Sequence, residues 1–585
     1  MILSDRARPD LVAILAVVVL GLAQILTPQE TFSGFSSSAV ITILAIFVLA
    51  EGLQKTGVAD LAGKALLKVA GEREKWLVTA VTITGAFLSL FMNNIAAAVV
   101  LLPAVNGVTR KTRISPAHLM IPLAFGTILG GMATLFTSSN LVVSSILRDQ
   151  GLEGYGVFDF LPLGIPIVLT GGLYLVLWGH RYLKSNPRLN KSHTIALPET
   201  NLADIYHLNE RLVWARIPFD SPLKNLFLGQ SQLREQHRIN VIAIRHDHHT
   251  DFAPGPGVVL KAGDYLWIEA HPEDLKQDQL RDLLQFPVSP EQTSPRLEEQ
   301  NYILVEAVLT PRSSLIGRSL RDSRFREKYG MEVIAIWRSG RPYRTRLSDF
   351  IMQFGDALLL YGRRTQIDML HAEADLVLLG DWQAKPTARG LKTWFTLGVM
   401  VLAITITAFK PGIIAVVMLG AALLLILGGV LSMEEAYRSV EWRTIFLVAG
   451  MLPMGVAMTK TGAATTLANT LGSLSGGWGP MALLAGIVIV SMLLTQAING
   501  VALAAIMTPI AIQIANQAGV NPRAMAMGVA LGISLKFLTS VGHPVNTLVM
   551  GPGGYRSRDY FRVGAPLTLI LSLVIIGLLP FIWHF

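Results

Sequence analysis

The sequence predicts a polytopic α-helical membrane protein built from inverted repeats with two re-entrant hairpins, and with two small α+β modules inserted between the repeats. Three observations predict it. The 585 residues are 51% hydrophobic and only 15% charged, against roughly 25% charged in soluble domains. The charges are also unevenly placed: 52 of the 89 Asp, Glu, Lys and Arg residues fall within 186–390, leaving 37 for the other 380 residues. Finally, polar residues recur at a fixed offset between the two apolar blocks. This pattern excludes a soluble enzyme, a secreted disulfide scaffold and a disordered chain. With no cysteine, disulfides, Cys-ligated zinc, iron–sulfur clusters and thiol catalysis are excluded as well. The net charge of +9 lies partly in short loops beside apolar runs, where it sets topology and does not point to nucleic acid.

Arg6 and Arg8 precede a first apolar run over 11–26 that lacks a small-residue cleavage site, so it reads as a retained helix. Further apolar spans follow at about 37–53, 76–107, 119–147 and 160–179, then at 393–409, 412–430, 445–459, 478–515, 524–550 and 563–583. Each is near the ~20 residues that cross a bilayer, or longer and interrupted. Two have a polar break near the middle, at Asn93-Asn94 and at Gln496 with Asn499-Gly500. Irregular backbone at that depth is tolerated only where it lines a cavity, which suggests re-entrant hairpins. Lys55, Lys64, Lys68, Arg73 and Lys75 precede the first hairpin, and Arg110, Lys111 and Arg113 follow it. Both flanks are therefore expected inside, as is the block 186–390, in a multi-pass protein of the cell (inner) membrane.

An offset of 406 residues carries Asn93 onto Asn499, Pro103 onto Pro509, Pro116 onto Pro522, Gly126 onto Gly532 and Asn140 onto Asn546. Lys55-Thr56-Gly57 matches Lys460-Thr461-Gly462 at 405. The crossing count places the two blocks in opposite orientations, a construction common in secondary transporters, with substrate held at the repeat interface. Lys536 stands inside an otherwise apolar run, and intramembrane charges are functional candidates by default. The bland alternative for Asn93 and Asn499 is that they cap the hairpin arms.

The polar block repeats too, at an offset of 92: Val241-Ile242-Ala243-Ile244 falls on Val333-Ile334-Ala335-Ile336, and Gly263-Asp264 on Gly355-Asp356. Each unit reads as a strand, a helix, a β-branched strand and a last strand after the Gly-Asp turn. The expected domains are 1–185, 203–286, 299–378 and 390–585. His246, His248 and His249 sit at a predicted hairpin turn, which favours a solvated loop over a metal site. No Walker A sequence or Gly-x-Ser-x-Gly elbow occurs, so neither an enzyme nor ATP-driven transport within the chain is expected.

Gly130-Gly131-Met132-Ala133-Thr134, followed by Thr137-Ser138-Ser139-Asn140, resembles the divalent anion/sodium symporter family of the ion transporter superfamily. There a Gly-Gly-Met-Ala-Thr segment leads into a Thr-Pro-Pro-Asn type loop. Phe91-Met92-Asn93-Asn94-Ile95 resembles the family's Ser-Asn-Thr hairpin tip, and Gly542-His543-Pro544-Val545-Asn546 its second broken loop. The central modules resemble TrkA-C (RCK C-terminal) domains, the second more clearly through Ser314-Leu315-Ile316-Gly317 and Gly355-Asp356-Ala357-Leu358. This sequence departs from the pattern at Asn93, Ile95, Gly500 and His543.

The resemblance implies an elevator-type symporter, sulfate-permease-like, that moves a divalent oxyanion with sodium. Its site would comprise Asn93, Asn94, Thr134, Thr137, Ser138, Ser139 and Asn140 from the first half. The second half would supply Asn499, Gly500, Lys536, His543, Pro544, Val545, Asn546 and Thr547. Sodium would lie at Asn93, Asn94, Thr137 and Ser138. A homodimer is implied, as is a small anionic ligand on the modules at Arg318, Arg321, Arg324 and Arg326, near one predicted helix. A sodium/dicarboxylate symporter, a sodium/proton antiporter of the same superfamily and a channel gated by the modules stay open. Within the second half two versions compete: Lys536 replaces a sodium ion, or His543, whose unperturbed pKa is about 6.5, couples protons.

Overall fold

The computed structural model describes residues 8–58, 73–112, 114–179, 212–233, 236–237, 239–246, 249–252, 254–255, 257–269, 278–286, 302–310, 313–338, 341–343, 347–372, 375–379, 390–474 and 479–584. They fall into two compact units, Met1–Lys184 with Leu379–Phe585, and Ser185–Leu378.

The first unit is helical. Its helices are numbered here α1 (Pro9–Leu22), α2 (Pro28–Phe32), α3 (Ser38–Lys55), α4 (Glu74–Ser89), α5 (Asn94–Thr112), α6 (Pro116–Met132), α7 (Ser138–Asp149) and α8 (Leu161–Tyr174). After the second unit come α9 (Leu391–Phe409), α10 (Ile414–Leu427), α11 (Met433–Ser439), α12 (Trp442–Lys460), α13 (Ala463–Leu474), α14 (Pro480–Leu494), α15 (Gly500–Ala518), α16 (Pro522–Ser534), α17 (Pro544–Met550) and α18 (Ser557–Trp583). Among the described residues, six helical segments are long and apolar enough to cross a bilayer: Pro28–Lys55, Leu161–Gly179, Leu391–Phe409, Trp442–Lys460, Gly500–Ala518 and Ser557–Trp583. Leu22, Leu391, Phe409, Leu427 and Phe581 are among the large apolar side chains left exposed, as lipid-facing residues would be.

The two blocks share their helix starts. α5, α6 and α7 begin at Asn94, Pro116 and Ser138, and α15, α16 and α17 begin 406 residues later at Gly500, Pro522 and Pro544. Local chemistry explains the coincidence. Pro116 and Pro522 each open their helix, where a missing N–H costs nothing. Ser115 Oγ accepts from Ala117 N (3.4 Å) and Asn521 Oδ1 from Arg523 N (3.0 Å), each capping that start. Gly126 and Gly532 then let α6 and α16 lie against α4 and α14. A Cβ on Gly126 would come within 2.6 Å of the Thr82 carbonyl oxygen, and one on Gly532 within 2.9 Å of that of Val488; Thr82 and Val488 are themselves 406 apart.

The halves are also laced together. α1 packs on α12, while its counterpart α10 packs on α3. Lys55, at the end of α3, reaches Glu435 (2.5 Å), and Lys460, at the end of α12, reaches Glu30 (2.7 Å). Both glutamates belong to capping boxes, Thr27–Glu30 and Ser432–Glu435, which start α2 and α11.

The apolar runs 119–147 and 524–550, read from sequence as single spans, are each two helices. The chain leaves the helix at 133–137 in the first and at 535–543 in the second. Uniform hydrophobicity hides such breaks, because broken backbone buried in protein needs no loss of apolar side chains.

The second unit holds two antiparallel sheets. β1 (Leu212–Arg216), β2 (Asn240–His246), β3 (His249–Phe252) and β4 (Tyr265–Glu269) order as β1-β4-β2-β3. β5 (Tyr302–Leu309), β6 (Glu332–Arg338), β7 (Arg341–Tyr343), β8 (Ala357–Arg363) and β9 (Leu376–Leu379) order as β7-β6-β8-β5-β9. The offset of 92 persists in detail. Both sheets have a register shift at the equivalent place, Val241/Ala243 and Val333/Ala335. Gly263 and Gly355 adopt φ of +90° and +82°, which glycine takes without steric cost. The next residue in each case, Asp264 or Asp356, accepts the backbone N–H of Lys261 (2.7 Å) or Gln353 (2.8 Å). Asp356 then forms an ion pair with Arg338 (2.5 Å), and Asp264 a bond with His246 (2.7 Å). The hairpin strands β3 and β7 were not read from sequence. The helix expected after the first strand of each module appears in the second at Phe325–Tyr329; in the first, the described residues there contain only a short 3-10 turn, Leu228–Gln230.

Candidate functional site

In the first half the tip is the four-residue gap between α4 and α5. Asn93 caps α5, its Oδ1 accepting from Ile95 N (2.7 Å). The buried Asn94 follows, with Ser89 Oγ donating to its Oδ1 (2.6 Å). The Asn94 amide covers Gly131, where a Cβ would collide with Oδ1 and lie 2.8 Å from Nδ2. Thr134 ties the broken helix to the tip: its hydroxyl donates to the Leu90 carbonyl (3.1 Å) and accepts from Phe136 N (3.2 Å). Asn140, fully buried in the first turn of α7, donates through Nδ2 to the Thr134 carbonyl (2.7 Å). Its Oδ1 is buried with no hydrogen-bond partner among the described residues, and so is the Thr137 hydroxyl. Ser138 and Ser139 open α7 and are half-buried.

In the second half Asn499 caps α15 as Asn93 caps α5, its Oδ1 accepting from Val501 N (2.9 Å). Gly500 then stands where the first half has Asn94. Lys536, at the counterpart of Gly130, lies over it: Nζ is 2.6 Å from the point a Gly500 Cβ would occupy. Gln496 Nε2 donates to the Leu535 carbonyl (2.8 Å) and Thr495 Oγ1 to that of Ile533 (2.9 Å). Asn546, fully buried like Asn140, donates to the carbonyls of Lys536 (2.9 Å) and Thr539 (3.0 Å). The Asn546 Oδ1 and Gln496 Oε1 atoms are buried without a partner among the described residues. Thr547 Oγ1 donates to the Ser540 carbonyl (2.8 Å). Pro544 begins α17, and His543 caps it, Nδ1 accepting from Val545 N (3.1 Å).

At the tips the two half-sites meet: Asn94 Nδ2 lies 3.4 Å from His543 Nε2. Because Nδ1 accepts a backbone N–H, the neutral ring carries its proton on Nε2 and is a donor there. Two donors cannot bond. Turning the Asn94 amide over gives its oxygen to His543 and its nitrogen to Ser89, an exchange that alters no heavy-atom outline. Either way Asn94 stands between a hydroxyl of its own half and a ring of the other.

The structure thus gathers Asn93, Asn94, Thr134, Thr137 and Asn140 around one tip, and Asn499, Gly500, Lys536, His543, Asn546 and Thr547 around the other. The oxygens of Asn93 and Asn499 are engaged in capping. Ser89, Thr495 and Gln496 were missed as site residues; Ser89 and Thr495 are hydroxyl residues at the same 406 offset, which was the available signal. The four arginines do not share a helix. Arg318, Arg321 and Arg324 precede the short helix Phe325–Tyr329 and only Arg326 lies within it. All four are exposed, with Arg321 paired to Asp349 (3.1 Å). His246 and His249 are backbone register partners in the β2–β3 hairpin, residues 247–248 lie outside the described set, and no metal-holding cluster of His, Asp and Glu occurs among the described residues.

A multi-pass helical unit whose broken helices bring polar side chains together is the build of a membrane transporter. The chain belongs to the citrate transporter family, whose model matches residues 1–532 and 483–585, within the superfamily that the sequence motifs resemble. It is 33% identical over 573 residues to an uncharacterized transporter of Synechocystis, covering 96% of this chain and 92% of the relative. The uncharacterized transporter YfbS of Escherichia coli is 32% identical over 599 residues, covering 100% and 97%. Sodium/sulfate cotransporter 1 of Chlamydomonas reinhardtii is 24% identical over 381 residues, covering 61% of this chain and 41% of the relative.

Proposed function

We propose that the protein is a secondary symporter that moves a divalent oxyanion, sulfate first, together with sodium. The observation that carries this reading is the pair Asn140 and Asn546. Each is fully buried, each is held by its Nδ2 on carbonyls of a broken helix, and each presents a side-chain oxygen with no partner among the described residues. Such an oxygen costs about 1–3 kcal/mol if nothing ever meets it. A cation, which takes neutral amide, hydroxyl and carbonyl oxygens, would meet it, and at Asn140 that cation would be sodium. The Thr137 hydroxyl at the start of α7 lies in the same half, and the N-terminus of α7 favours an anion nearby. The similarity to a sodium/sulfate cotransporter adds to the reading.

The repeats, taken as oppositely inserted with the α4–α5 and α14–α15 tips as re-entrant hairpins, would then carry the site across the bilayer in an elevator motion. The second unit, taken as a tandem of TrkA-C domains on the cytoplasmic side of a homodimer, would regulate that motion. The family description favours a second reading, in which the carried anion is citrate or a dicarboxylate. Purified protein in proteoliposomes decides between them, through uptake of labelled sulfate, citrate, succinate and rubidium with and without an inward sodium gradient. Sulfate uptake stimulated by sodium and resistant to excess citrate is expected. A preference for citrate or succinate would overturn the substrate, equal uptake without sodium would overturn the coupling, and rubidium entry would restore the channel reading.

A further inference from the structure

We propose that the second half-site carries its own cation: the Lys536 ammonium stands at the second hairpin tip in the role that a sodium ion plays in the first. This rests on the symporter reading and deepens it.

The two half-sites are related by a swap. In the first, the tip supplies a side chain, Asn94, which covers a glycine of the broken helix, Gly131. In the second, the tip supplies the glycine, Gly500, and the broken helix supplies the side chain, Lys536. The swap needs a change of backbone, and the backbone has changed. α6 runs to Met132, whereas α16 stops at Ser534, one turn short of the equivalent point. Lys536 is therefore in unwound chain, with its carbonyl held by Asn546 Nδ2 (2.9 Å) and the neighbouring Leu535 carbonyl by Gln496 Nε2 (2.8 Å). Both bonds fix the segment from which the ammonium reaches the tip.

Two ordinary roles for a lysine in an apolar run fit poorly. It could neutralise carbonyls where the helix ends, but among the described residues its Nζ makes no hydrogen bond to any carbonyl. It could pair with an acid, yet no carboxylate lies within 4 Å of it among the described residues. Instead it faces the N-terminus of α15, the positive end of a 19-residue helix. A cation there is disfavoured by the helix end and favoured by an anion brought to the same place. Two partnerless amide oxygens, Gln496 Oε1 and Asn546 Oδ1, belong to the same half-site. His543 is a weaker candidate for the coupling group, since protonating Nδ1 would break its bond from Val545 N.

A tethered charge attracts the divalent anion and excludes a second sodium from that half. Sodium should therefore drive sulfate uptake with a Hill coefficient of about one, where two symmetric sodium sites would give up to about two. Lys536→Gln should raise the half-saturating sulfate concentration roughly tenfold, with Lys536→Arg much closer to wild type. The double variant Lys536→Gly with Gly500→Asn gives the second half the counterparts of Gly130 and Asn94, with Phe537 still standing where the first half has Gly131, and should make the sodium dependence steeper while recovering sulfate affinity at high sodium. Gly500→Ala keeps the charge but pushes the ammonium off the tip. It serves where Lys536→Gln fails to fold, and should weaken sulfate in the same direction. Steep sodium dependence in wild type, or unchanged sulfate affinity in both Lys536→Gln and Gly500→Ala, would overturn the inference. If wild type moves no sulfate, the symporter reading fails separately. Thermal stabilisation of wild type, Lys536→Gln and Lys536→Arg by sulfate, citrate and succinate then tests the lysine alone: a tethered cation predicts stabilisation by an anion that the glutamine variant loses and the arginine variant keeps, and equal stabilisation of all three would overturn it.

Discussion

The two half-sites share a scaffold and differ in what stands on it. Helix starts, capping asparagines, crossing glycines and the buried Asn140/Asn546 pair coincide at one offset, yet the loop after α6 spans five residues and is buried over 133–136, while the loop after α16 spans nine and leaves Val541 79% exposed. A single turn of lost helix therefore separates a half-site built of amides and hydroxyls from one that holds an ammonium. The comparison teaches that a duplicated frame constrains backbone crossings far more tightly than it constrains the groups at the break. Close-packed interiors leave no room to vary a crossing, whereas an unwound segment can redirect a side chain by one residue's shift.

Three experiments test that equivalence, in order of expected effect. Gly126→Ala and Gly532→Ala should each destabilise the detergent-solubilised protein by about 1–3 kcal/mol through overpacking. Gly126 should be the worse of the two, since its Cβ would come within 2.6 Å of the Thr82 carbonyl oxygen and 2.9 Å of its Cα. Thermal unfolding measures this, and wild-type stability in either variant would break the equivalence of the crossings. Asn140→Ala and Asn546→Ala should separate. The first should raise the half-saturating sodium concentration roughly tenfold and the second no more than about twofold, and equal shifts would argue for two sodium sites.

Smallest are Lys55→Ala and Lys460→Ala, each expected to change stability little because both pairs are exposed and screened by salt. The Lys55 contact, followed by the Ser432 N–H, pulls the Glu435 carboxyl from its ordinary value near 4.5 down to about 2. A lowered carboxylate value stabilises the fold above the unfolded value, and that stability is lost as pH falls toward 2. The difference between wild type and Lys55→Ala should therefore shrink between pH 5 and pH 2 and vanish in high salt. A difference that grows on acidification would place the stabilising contact elsewhere.

Much of the frame was legible because it depends on residue types with few alternatives. Asn93 and Asn499, Pro116 and Pro522, and Gly126 and Gly532 are residues that apolar drift does not produce in pairs. The helix starts they mark coincide in the structure. The superfamily was legible in the glycine- and asparagine-bearing loops. The citrate transporter family was not, since those motifs resemble a neighbouring family of that superfamily. Breaks at 133–137 and 535–543 do not show in the hydrophobicity, which runs through them, and were legible only through the resemblance of Thr137–Asn140 and Gly542–Asn546 to the family's loops; the direction of Lys536, which depends on where α16 unwinds, was not legible. The capping boxes at Thr27–Glu30 and Ser432–Glu435 carried a readable signal that was overlooked. Arg318, Arg321, Arg324 and Arg326 do lie near one helix, but it ends at the left-handed Gly330 after only five residues, too short to carry four of them on one face.

The exchange of α1 and α10 between the halves sets an order on the protein's birth. Ala13 of α1 lies against Gly450 of α12, a partner synthesised roughly 440 residues later, which at about 5–20 residues per second is a delay of some 20–90 s. With only the short α2 beside it, α1 must enter the membrane and wait, open to quality control, for that whole interval. Its buried face is correspondingly narrow, with Ala13 and Val17 inside while Leu11, Leu15, Val18, Val19 and Leu22 stay exposed, so the helix that waits longest is one that lipid alone can keep.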